Sequence, residues 1–180
     1  MADSNITKKA LASAMKALMT EKTFHKITVS DICDRCGMNR KSFYYHFKDK
    51  YDLVNWIYDT EFIVLANRKA YATAWEFMTA LCRYLETERA FYSRALEING
   101  QNSFSEHFTE MLQPILKENL RRIFGSNATE FHATFFSDAF VMAIKRWGVE
   151  MDAVSADEFV NMLKGLVVQT AETVCSEFNE

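Results

Sequence analysis

Residues 28–50 read TVSDICDRCGMNRKSFYYHFKDK, and this stretch of the chain decides the fold. Thr28 and Asp31 have the spacing of a capping box, in which a hydroxyl and an acidic side chain together begin a helix. Gly37 favours the left-handed backbone that ends a helix, and Asn39 is a good cap for the helix that follows. The segment therefore predicts two short helices joined by a tight turn, the helix-turn-helix unit.

The rest of the chain is also patterned as helix. Apolar residues recur three and four positions apart, no alternating strand pattern is present, and the 180 residues include one proline and five glycines. We expect an all-α fold of about nine helices, with a three-helix N-terminal domain over residues 1–50 joined by a long fourth helix to a helical domain over residues 51–180. Pro114 is expected to kink or divide its helix. The predicted turns are at 99–103, at 125–127 and from Gly148 to Ser155, and the predicted helices are at about 5–22, 29–36, 40–47, 50–70, 74–88, 90–99, 103–124, 129–147 and 155–178.

Charge is distributed unevenly along the chain. Residues 1–50 carry ten lysines and arginines and five acidic residues, a net charge of about +5, whereas the remainder carries about −8. A basic head on an acidic body suits a protein of which only the head approaches phosphate, although chance clustering of solvated charge explains the balance equally well. The chain shows no run of 18 apolar residues, no signal peptide and no secreted disulfide framework, so we expect a cytoplasmic protein without a membrane span.

The second helix of the unit carries side chains suited to DNA. In a helix-turn-helix this helix lies in the major groove, and its first residues meet the base edges. Arg40 and Lys41 can donate to guanine or phosphate, Asn39 can pair with adenine, and Lys50 adds charge to the start of the fourth helix. The alternative is an amphipathic helix pair with a solvated basic face. The predicted DNA contacts are Thr28, Asn39, Arg40, Lys41, Ser42, Tyr44, Tyr45, His46 and Lys50.

The same residues resemble the TetR family of bacterial transcription regulators. The similarity covers about residues 5–55 and is most specific over residues 42–50, which have the form S-F-Y-Y-H-F-x-x-K. The sequence departs from the family pattern at Thr23, Cys33 and Cys36. The resemblance implies the same nine DNA contacts, a double-stranded palindromic operator, a homodimer formed by the last two helices, and an effector cavity in the body.

The body gives less specific signals. Residues 91–104 resemble TetR-family regulators of dihydroxyacetone kinase operons, in which the coregulator can be a protein related to the kinase subunit. Control by a small-molecule effector in the body is the main expectation, and control by such a protein is the alternative. The sequence does not distinguish a repressor, which is the usual type in the family, from an activator. The predicted effector-pocket residues are Trp75, Phe91, Phe104, His107, Phe108 and Phe136, although most body aromatics belong to the core. The dimer-interface residues that the resemblance implies are Phe140, Trp147, Phe159, Leu163 and Leu166, which in a monomer would be core.

Other chemistry is not expected. Cys33 and Cys36 form a CxxC pair, but a structural zinc needs four ligands, so two small residues packed in the core are the better explanation. An oxidation switch at this pair stays open as an alternative. The histidines form no metal pattern, and the chain carries no GxGxxG, GxxxxGK[ST] or HExxH motif. We therefore expect no metal, no cofactor and no enzymatic activity.

Overall fold

The computed structural model describes residues 2–63, 71–98, 100, 102–124, 129–151 and 153–177. Every regular element within these ranges is helical, which confirms the predicted all-α class. A 3-10 turn, Phe24–Lys26, separates the first two helices, and a π-helical turn, Asp59–Ile63, follows the fourth. In chain order the helices are α1 (Ala2–Glu21), α2 (Val29–Arg35), α3 (Arg40–His46), α4 (Lys50–Tyr58), α5 (Ala74–Thr87), α6 (Arg89–Leu96), α7 (Phe104–Phe124), α8 (Glu130–Glu150) and α9 (Ala156–Glu177).

The ends of α2 and α3 are set by local side chains, as the sequence predicts. The Thr28 hydroxyl accepts a hydrogen bond from the Asp31 N–H at 3.1 Å, and the Asp31 carboxylate accepts one from the Thr28 N–H at 2.7 Å. Gly37 has a φ of +68°, and Asn39 Oδ1 accepts a hydrogen bond from the Ser42 N–H at 2.8 Å. These contacts satisfy backbone groups that would otherwise lack a partner at the helix ends.

The head, formed by α1, α2 and α3, packs around an apolar core. Leu11 of α1, Ile32 of α2 and Phe43 of α3 are fully buried. Phe47, directly after α3, is also buried, and its ring centroid lies 5.6 Å from that of Trp56 in α4. Phe43 and Phe47 therefore face the core. These residues belong to one cluster of buried side chains that extends into the body, the region from α4 to α9.

The fourth helix differs from the prediction. The sequence predicts one helix from residue 50 to about residue 70, but the α-helix ends at Tyr58 and the π-helical turn follows; residues 64–70 lie outside the described ranges. The π-helical turn presents two carboxylates to different neighbours. Asp59 Oδ1 is 2.7 Å from His107 Nε2 of α7, and Glu61 Oε2 is 2.6 Å from Lys16 Nζ of α1. Apolar periodicity does not foresee this turn because its contacts are polar and distant in sequence.

Two of the predicted helix breaks do not interrupt a helix. Gly148, expected to start a turn, lies buried inside α8, where an added Cβ would stand 2.8 Å from Leu96 Cδ1 of α6. This glycine therefore serves close helix packing. Pro114 does not divide α7; it lies at an exposed position of the helix, where it supplies no N–H for the carbonyl of the exposed Glu110. Ser155 caps the start of α9, and the predicted turn at 125–127 lies outside the described residues.

The body surrounds the end of α4. Helix α7 packs along α8, α9 packs along α5, and α6 lies between α1 and α8. Tyr58 is fully buried at the centre of this arrangement, where its ring contacts those of Phe62, Tyr92, Phe104 and Phe108. The last turn of α4 is thus held by helices from across the body. None of the described helices is long and apolar enough to cross a membrane.

Candidate nucleic-acid interface

The side of α3 opposite its buried phenylalanine is open to solvent. Tyr45 is 82% exposed and Tyr44 is 51% exposed, and Arg40 and Lys41 at the start of the helix are exposed as well. The Arg40 guanidinium carbon lies 5.9 Å from the centroid of the Tyr44 ring, a cation–π contact that orients it along the helix surface. Two cationic and two phenolic side chains therefore project from one exposed helical face.

A shallow groove of about 280 Å³ separates the start of α1 from α3. It brings together five of the nine predicted DNA contacts, which are Asn39, Lys41, Ser42, Tyr45 and His46. The sixth lining residue is Thr7 of α1, which the sequence reasoning missed. The only signal for Thr7 was its position beside Lys8 and Lys9 in a basic stretch. The groove is thus lined by hydroxyl, imidazole and ammonium groups, which can donate hydrogen bonds to phosphate oxygens.

Asn39 and Thr28 use their side chains to cap helices. Asn39 Oδ1 accepts hydrogen bonds from the Ser42 N–H and hydroxyl at 2.8 and 3.2 Å. Bidentate pairing with adenine needs this same oxygen, so the predicted adenine contact competes with the cap. The Thr28 hydroxyl donates to Asp31 Oδ2 at 2.7 Å, and the hydrogen bonds from the Thr28 N–H and hydroxyl lower the pKa of Asp31 to about 2.

Lys50 begins α4, but its ammonium is directed at the connector between α1 and α2. Lys50 Nζ lies 2.8 Å from the carbonyl oxygens of Phe24 and Ile27, and 3.4 Å from that of His25. The same nitrogen is 4.3 Å from the centroid of the Phe24 ring. Burial lowers the pKa of Lys50. The phosphate contact predicted for Lys50 stays a prediction, and its ammonium has three acceptors within the protein.

Two separate regions of the chain match family models of transcription regulators. Residues 11–57 match the bacterial regulatory proteins of the tetR family, and residues 73–169 match the C-terminal region of TetR-type transcriptional regulators. The second match alone covers more than half of the chain. The chain belongs to the TetR family. It is therefore a DNA-binding transcription regulator, as the residues of the helix-turn-helix predict. Members of this family are regulators and not enzymes.

Among curated proteins, this TetR-family chain is similar to the HTH-type dhaKLM operon transcriptional activator DhaS of Lactococcus lactis subsp. lactis (strain IL1403). The two sequences are 34% identical over 109 residues, which are 60% of this chain and 57% of the relative. The similar region thus spans less than two thirds of DhaS. This finding agrees with the narrower resemblance of residues 91–104 to regulators of dihydroxyacetone kinase operons.

Solved structures share the fold over nearly the whole chain. The dihydroxyacetone kinase operon activator DhaS has a TM-score of 0.70 at 22% identity, with 93% of this chain and 97% of that chain covered. A TetR regulator from Streptococcus agalactiae 2603V has a TM-score of 0.72 at 21% identity, with coverages of 92% and 95%. NalD, the secondary repressor of the MexAB-OprM multidrug efflux pump in Pseudomonas aeruginosa, reaches 0.65 at 16% identity, with coverages of 93% and 96%. At these identities the likeness shows the TetR fold alone.

Four of the predicted effector-pocket residues lie in or beside the packed core of this TetR-family body. Phe91, Phe104 and Phe108 are at most 2% exposed, and their rings pack against Tyr58 and Tyr92. The half-buried His107 binds Asp59, as described above. Within the described residues, these three phenylalanine side chains are buried among other rings.

The other two predicted pocket residues lie elsewhere. Trp75 lines a groove of about 720 Å³ between α5 and α9, together with Arg83 and Lys164. Lys164 Nζ lies 5.7 Å from the Trp75 ring centroid, and Arg83 is paired with Asp157 through two hydrogen bonds of 2.8 Å. Phe136 is half-buried on α8. The structure therefore does not bring the six predicted residues into one cavity.

The predicted dimer-interface residues separate into buried and exposed sets. Trp147 and Phe159 stack on each other at 5.1 Å and, like Leu163, are buried within the chain. Phe140 packs against Trp75, and Leu166 is 62% exposed. The sequence could not tell which apolar residues of the last helices pack within the chain. Other exposed apolar residues on these helices are Phe131, Phe135, Met142, Met162 and Val167.

The CxxC pair in α2 has the surroundings of structural cysteines. Cys33 is buried, and the half-buried Cys36 thiol donates to the Ile32 carbonyl at 3.2 Å. Burial raises the pKa of both thiols, which disfavours the reactive thiolate that an oxidation switch requires. Within the described part of the chain, no group of three or more histidine, cysteine, aspartate or glutamate side chains is arranged to hold a metal ion.

Proposed function

We propose that this TetR-family regulator binds a palindromic operator as a homodimer, with α3 of each protomer in the major groove. The observation that carries the proposal is the exposed face of α3, where Arg40, Lys41, Tyr44 and Tyr45 project on the side opposite a buried Phe43. The basic head and acidic body support an approach to DNA through the head alone. We expect the protein to act in the cytoplasm, where its DNA target lies.

The proposed DNA contacts fall into groups according to whether each side chain already makes hydrogen bonds within the protein. Arg40 and Lys41 are assigned to base edges or phosphate, and the Tyr44 and Tyr45 hydroxyls and His46 to phosphate. Asn39 and Thr28 contribute through the helix starts that they cap, and Ser42 through its place in the first turn of α3, because backbone N–H groups at a helix start attract phosphate. Lys50 belongs to the same surface through its position at the start of α4.

The homodimer is proposed to form through the exposed apolar side chains of α8 and α9. Phe131 and Phe135 of α8 are 74% and 58% exposed, and Met162 and Leu166 of α9 are 56% and 62% exposed. Large apolar side chains exposed together are unusual on a monomeric surface and favour a protein partner. Because the TetR family forms homodimers, we assign a second copy of this chain as that partner. This assigns the interface to residues other than the buried Trp147.

Control of DNA binding is proposed to come from an effector that acts on the body. A small-molecule effector would need a cavity, and four of the six predicted pocket residues lie in or beside packed core. That packing, with the similarity to the activator DhaS, supports the alternative of activation controlled by a protein coregulator. A pull-down from the host beside a thermal-shift screen of metabolites separates the two. A large shift with a metabolite and no protein partner would favour the small molecule.

The test of DNA binding is the affinity for the region upstream of the regulator's own gene, measured against random DNA by fluorescence anisotropy at several salt concentrations. Arg40→Ala is expected to weaken specific binding by about 1–3 kcal/mol. Arg146→Ala is the matched control, because Arg146 is an exposed arginine on α8, far from the head in sequence. Equal affinity of the wild-type protein for operator and random DNA would contradict the proposal.

A further inference from the structure

The Lys50 ammonium is turned into the protein, in contrast to the exposed lysines beside it. Lys41 and Lys48 are exposed, whereas Lys50 Nζ is surrounded by three carbonyl oxygens and the face of the Phe24 ring. An ammonium group has three N–H donors and no acceptor. The three carbonyl acceptors therefore use the full donor capacity of Lys50. A phosphate could bind this nitrogen only in exchange for one of them.

The three carbonyls belong to the segment that places the helix-turn-helix on α1. Phe24 and His25 form the 3-10 turn, and the carbonyl of the buried Ile27 lies directly before Thr28, which caps α2. The bonds from Lys50 to the carbonyls of Phe24 and Ile27 are partly buried, so losing the ammonium costs free energy because water replaces this donor incompletely. Lys50 thus joins three points that set the orientation of the head: the end of α1, the start of α2 and the start of α4.

We propose that Lys50 is a positioning residue of the DNA-reading head and not one of its phosphate contacts. Its ammonium holds the connector between α1 and α2 against the start of α4, and so fixes the angle at which α3 meets the groove. The phosphate contact at this edge falls to the exposed Lys48. The inference rests on the proposed DNA binding, since it assigns a role within that surface.

The chemistry of the site suits lysine in particular. The three carbonyl oxygens approach one nitrogen, which matches a compact ammonium, whereas a guanidinium spreads its donors over a planar fork. The burial that lowers the pKa of Lys50 is opposed by the nearby Asp31 carboxylate, which favours the charged form. Both effects describe a cation withdrawn from solvent. Lys50→Arg therefore keeps the charge but not the geometry.

The test compares Lys50→Met with the matched control Lys48→Met. Operator affinity is measured as a function of salt, and thermal melting is followed for each protein. One lost phosphate contact lowers the slope of log K against log salt by about 0.9. We expect this loss for Lys48→Met with an unchanged melting temperature. For Lys50→Met we expect an unchanged slope, a lower melting temperature, and at least tenfold weaker operator binding below the melting transition.

A slope reduced by about 0.9 in Lys50→Met, or an unchanged melting temperature, would overturn the proposal. If Lys50→Met does not fold, Lys50→Arg decides: a phosphate contact tolerates arginine, so wild-type melting and affinity would overturn the proposal, and losses in both would support it. The proposed DNA binding fails in a different way. In that case the wild-type protein itself does not distinguish operator from random DNA, while the melting temperatures still show whether the Lys50 contacts stabilise the head.

Discussion

Single side chains in the head do two kinds of work. Short polar residues close the ends of helices: Thr28 and Asn39 cap α2 and α3, and Asp49 Oδ1 accepts the N–H groups of Tyr51 and Asp52, both at 2.9 Å. Long cationic and phenolic residues extend outward from the helix that these caps hold in place. The caps fix the backbone, so the side chains that we propose to contact DNA start from a defined position and lose less entropy on binding.

The capping box makes the stability of the head depend on pH. The pKa of Asp31 is about 2 in the folded chain, lowered from its ordinary 3.8 first by the Thr28 N–H and then by the Thr28 hydroxyl. The carboxylate therefore stabilises the fold above about pH 4, and this contribution is lost as the pH falls toward 2. Thr28→Val is expected to raise the pKa of Asp31 in an NMR titration, so that acid unfolding begins at a higher pH. Ser30→Ala, at an exposed neighbour, is the control, and an Asp31 pKa unmoved by Thr28→Val would contradict this account.

The residues that end and begin helices were predictable from the sequence, whereas hydrogen-bond partners distant in sequence were not. The residues Thr28, Gly37 and Asn39 act on backbone groups within four positions, so their roles follow from the order of residues alone. Lys50 contacts carbonyls more than twenty positions earlier, and those contacts depend on how α1 and α4 cross. Its type and its place at a helix start suggested phosphate, because nothing local showed a closer set of acceptors.

At the scale of helices, the junction between head and body is polar and centres on the π-helical turn. Glu61 Oε2 accepts from Lys16 Nζ of α1 and, at 2.9 Å, from the Tyr84 hydroxyl of α5. Since Tyr84 donates to this carboxylate, the Tyr92 hydroxyl, 2.7 Å away, donates to Tyr84. One carboxylate thus joins α1, α5 and α6. Turns of this kind are frequent at functional positions of helices.

Removing the charge of Glu61 is expected to loosen this junction. Glu61→Gln leaves Lys16 without its closest anionic partner, and a hydrogen bond to a charged group is worth about 1.5–3 kcal/mol; the partial exposure of both side chains places the expected loss near the lower end. Urea unfolding at neutral pH measures the change. Glu110→Gln, at an exposed position of α7, is the control. In a double-mutant cycle with Lys16→Met, purely additive effects would show that the pair does not interact.

Two glycines on neighbouring helices are expected to respond in opposite directions to alanine. Gly148→Ala places a Cβ 2.8 Å from Leu96 Cδ1, so we expect destabilisation of about 1 kcal/mol, moderated by movement of the leucine. Gly165→Ala in α9 meets nothing within 4 Å and is expected to stabilise the helix by about 0.5–1 kcal/mol. Thermal melts of the two variants provide the comparison. Stabilisation by Gly148→Ala would show that α6 and α8 are not in close contact.

The whole molecule combines a basic reading end with an acidic body and an apolar surface on its last helices. The periodicity of α8 and α9 does not show which of their apolar residues stay exposed. Trp147, Phe159 and Leu166 all recur at helical spacing, yet the first two are buried and Leu166 is exposed. The stacking of Trp147 on Phe159 requires the crossing of the two helices, which is a tertiary fact. The same holds for the aromatics of the core. The order of residues predicts most of the helices, whereas packing decides which of their apolar side chains are buried.

Dimerisation is the property that tests the molecule at this scale. Leu166→Glu introduces a charge into the proposed interface, which costs several kcal/mol when the charge is buried without a partner, so we expect a monomer with weak operator binding. Ile6→Glu is the matched control, because Ile6 is an apolar residue of α1 that is 64% exposed. Sedimentation velocity gives the oligomeric state. A Leu166→Glu dimer of wild-type stability would place the interface elsewhere.

The buried cluster that extends from α1 into the body also limits how such regulators can be recombined. Arg94 of α6 donates hydrogen bonds to the carbonyl oxygens of Met19 and Lys22 at the end of α1, so the body supplies the last cap of the first helix. A chimera that grafts this head onto a foreign body would lose that guanidinium together with the acceptor of Lys16. An exchange of operator specificity therefore has to include the body surfaces that contact α1, which are those of α4, the π-helical turn and α6.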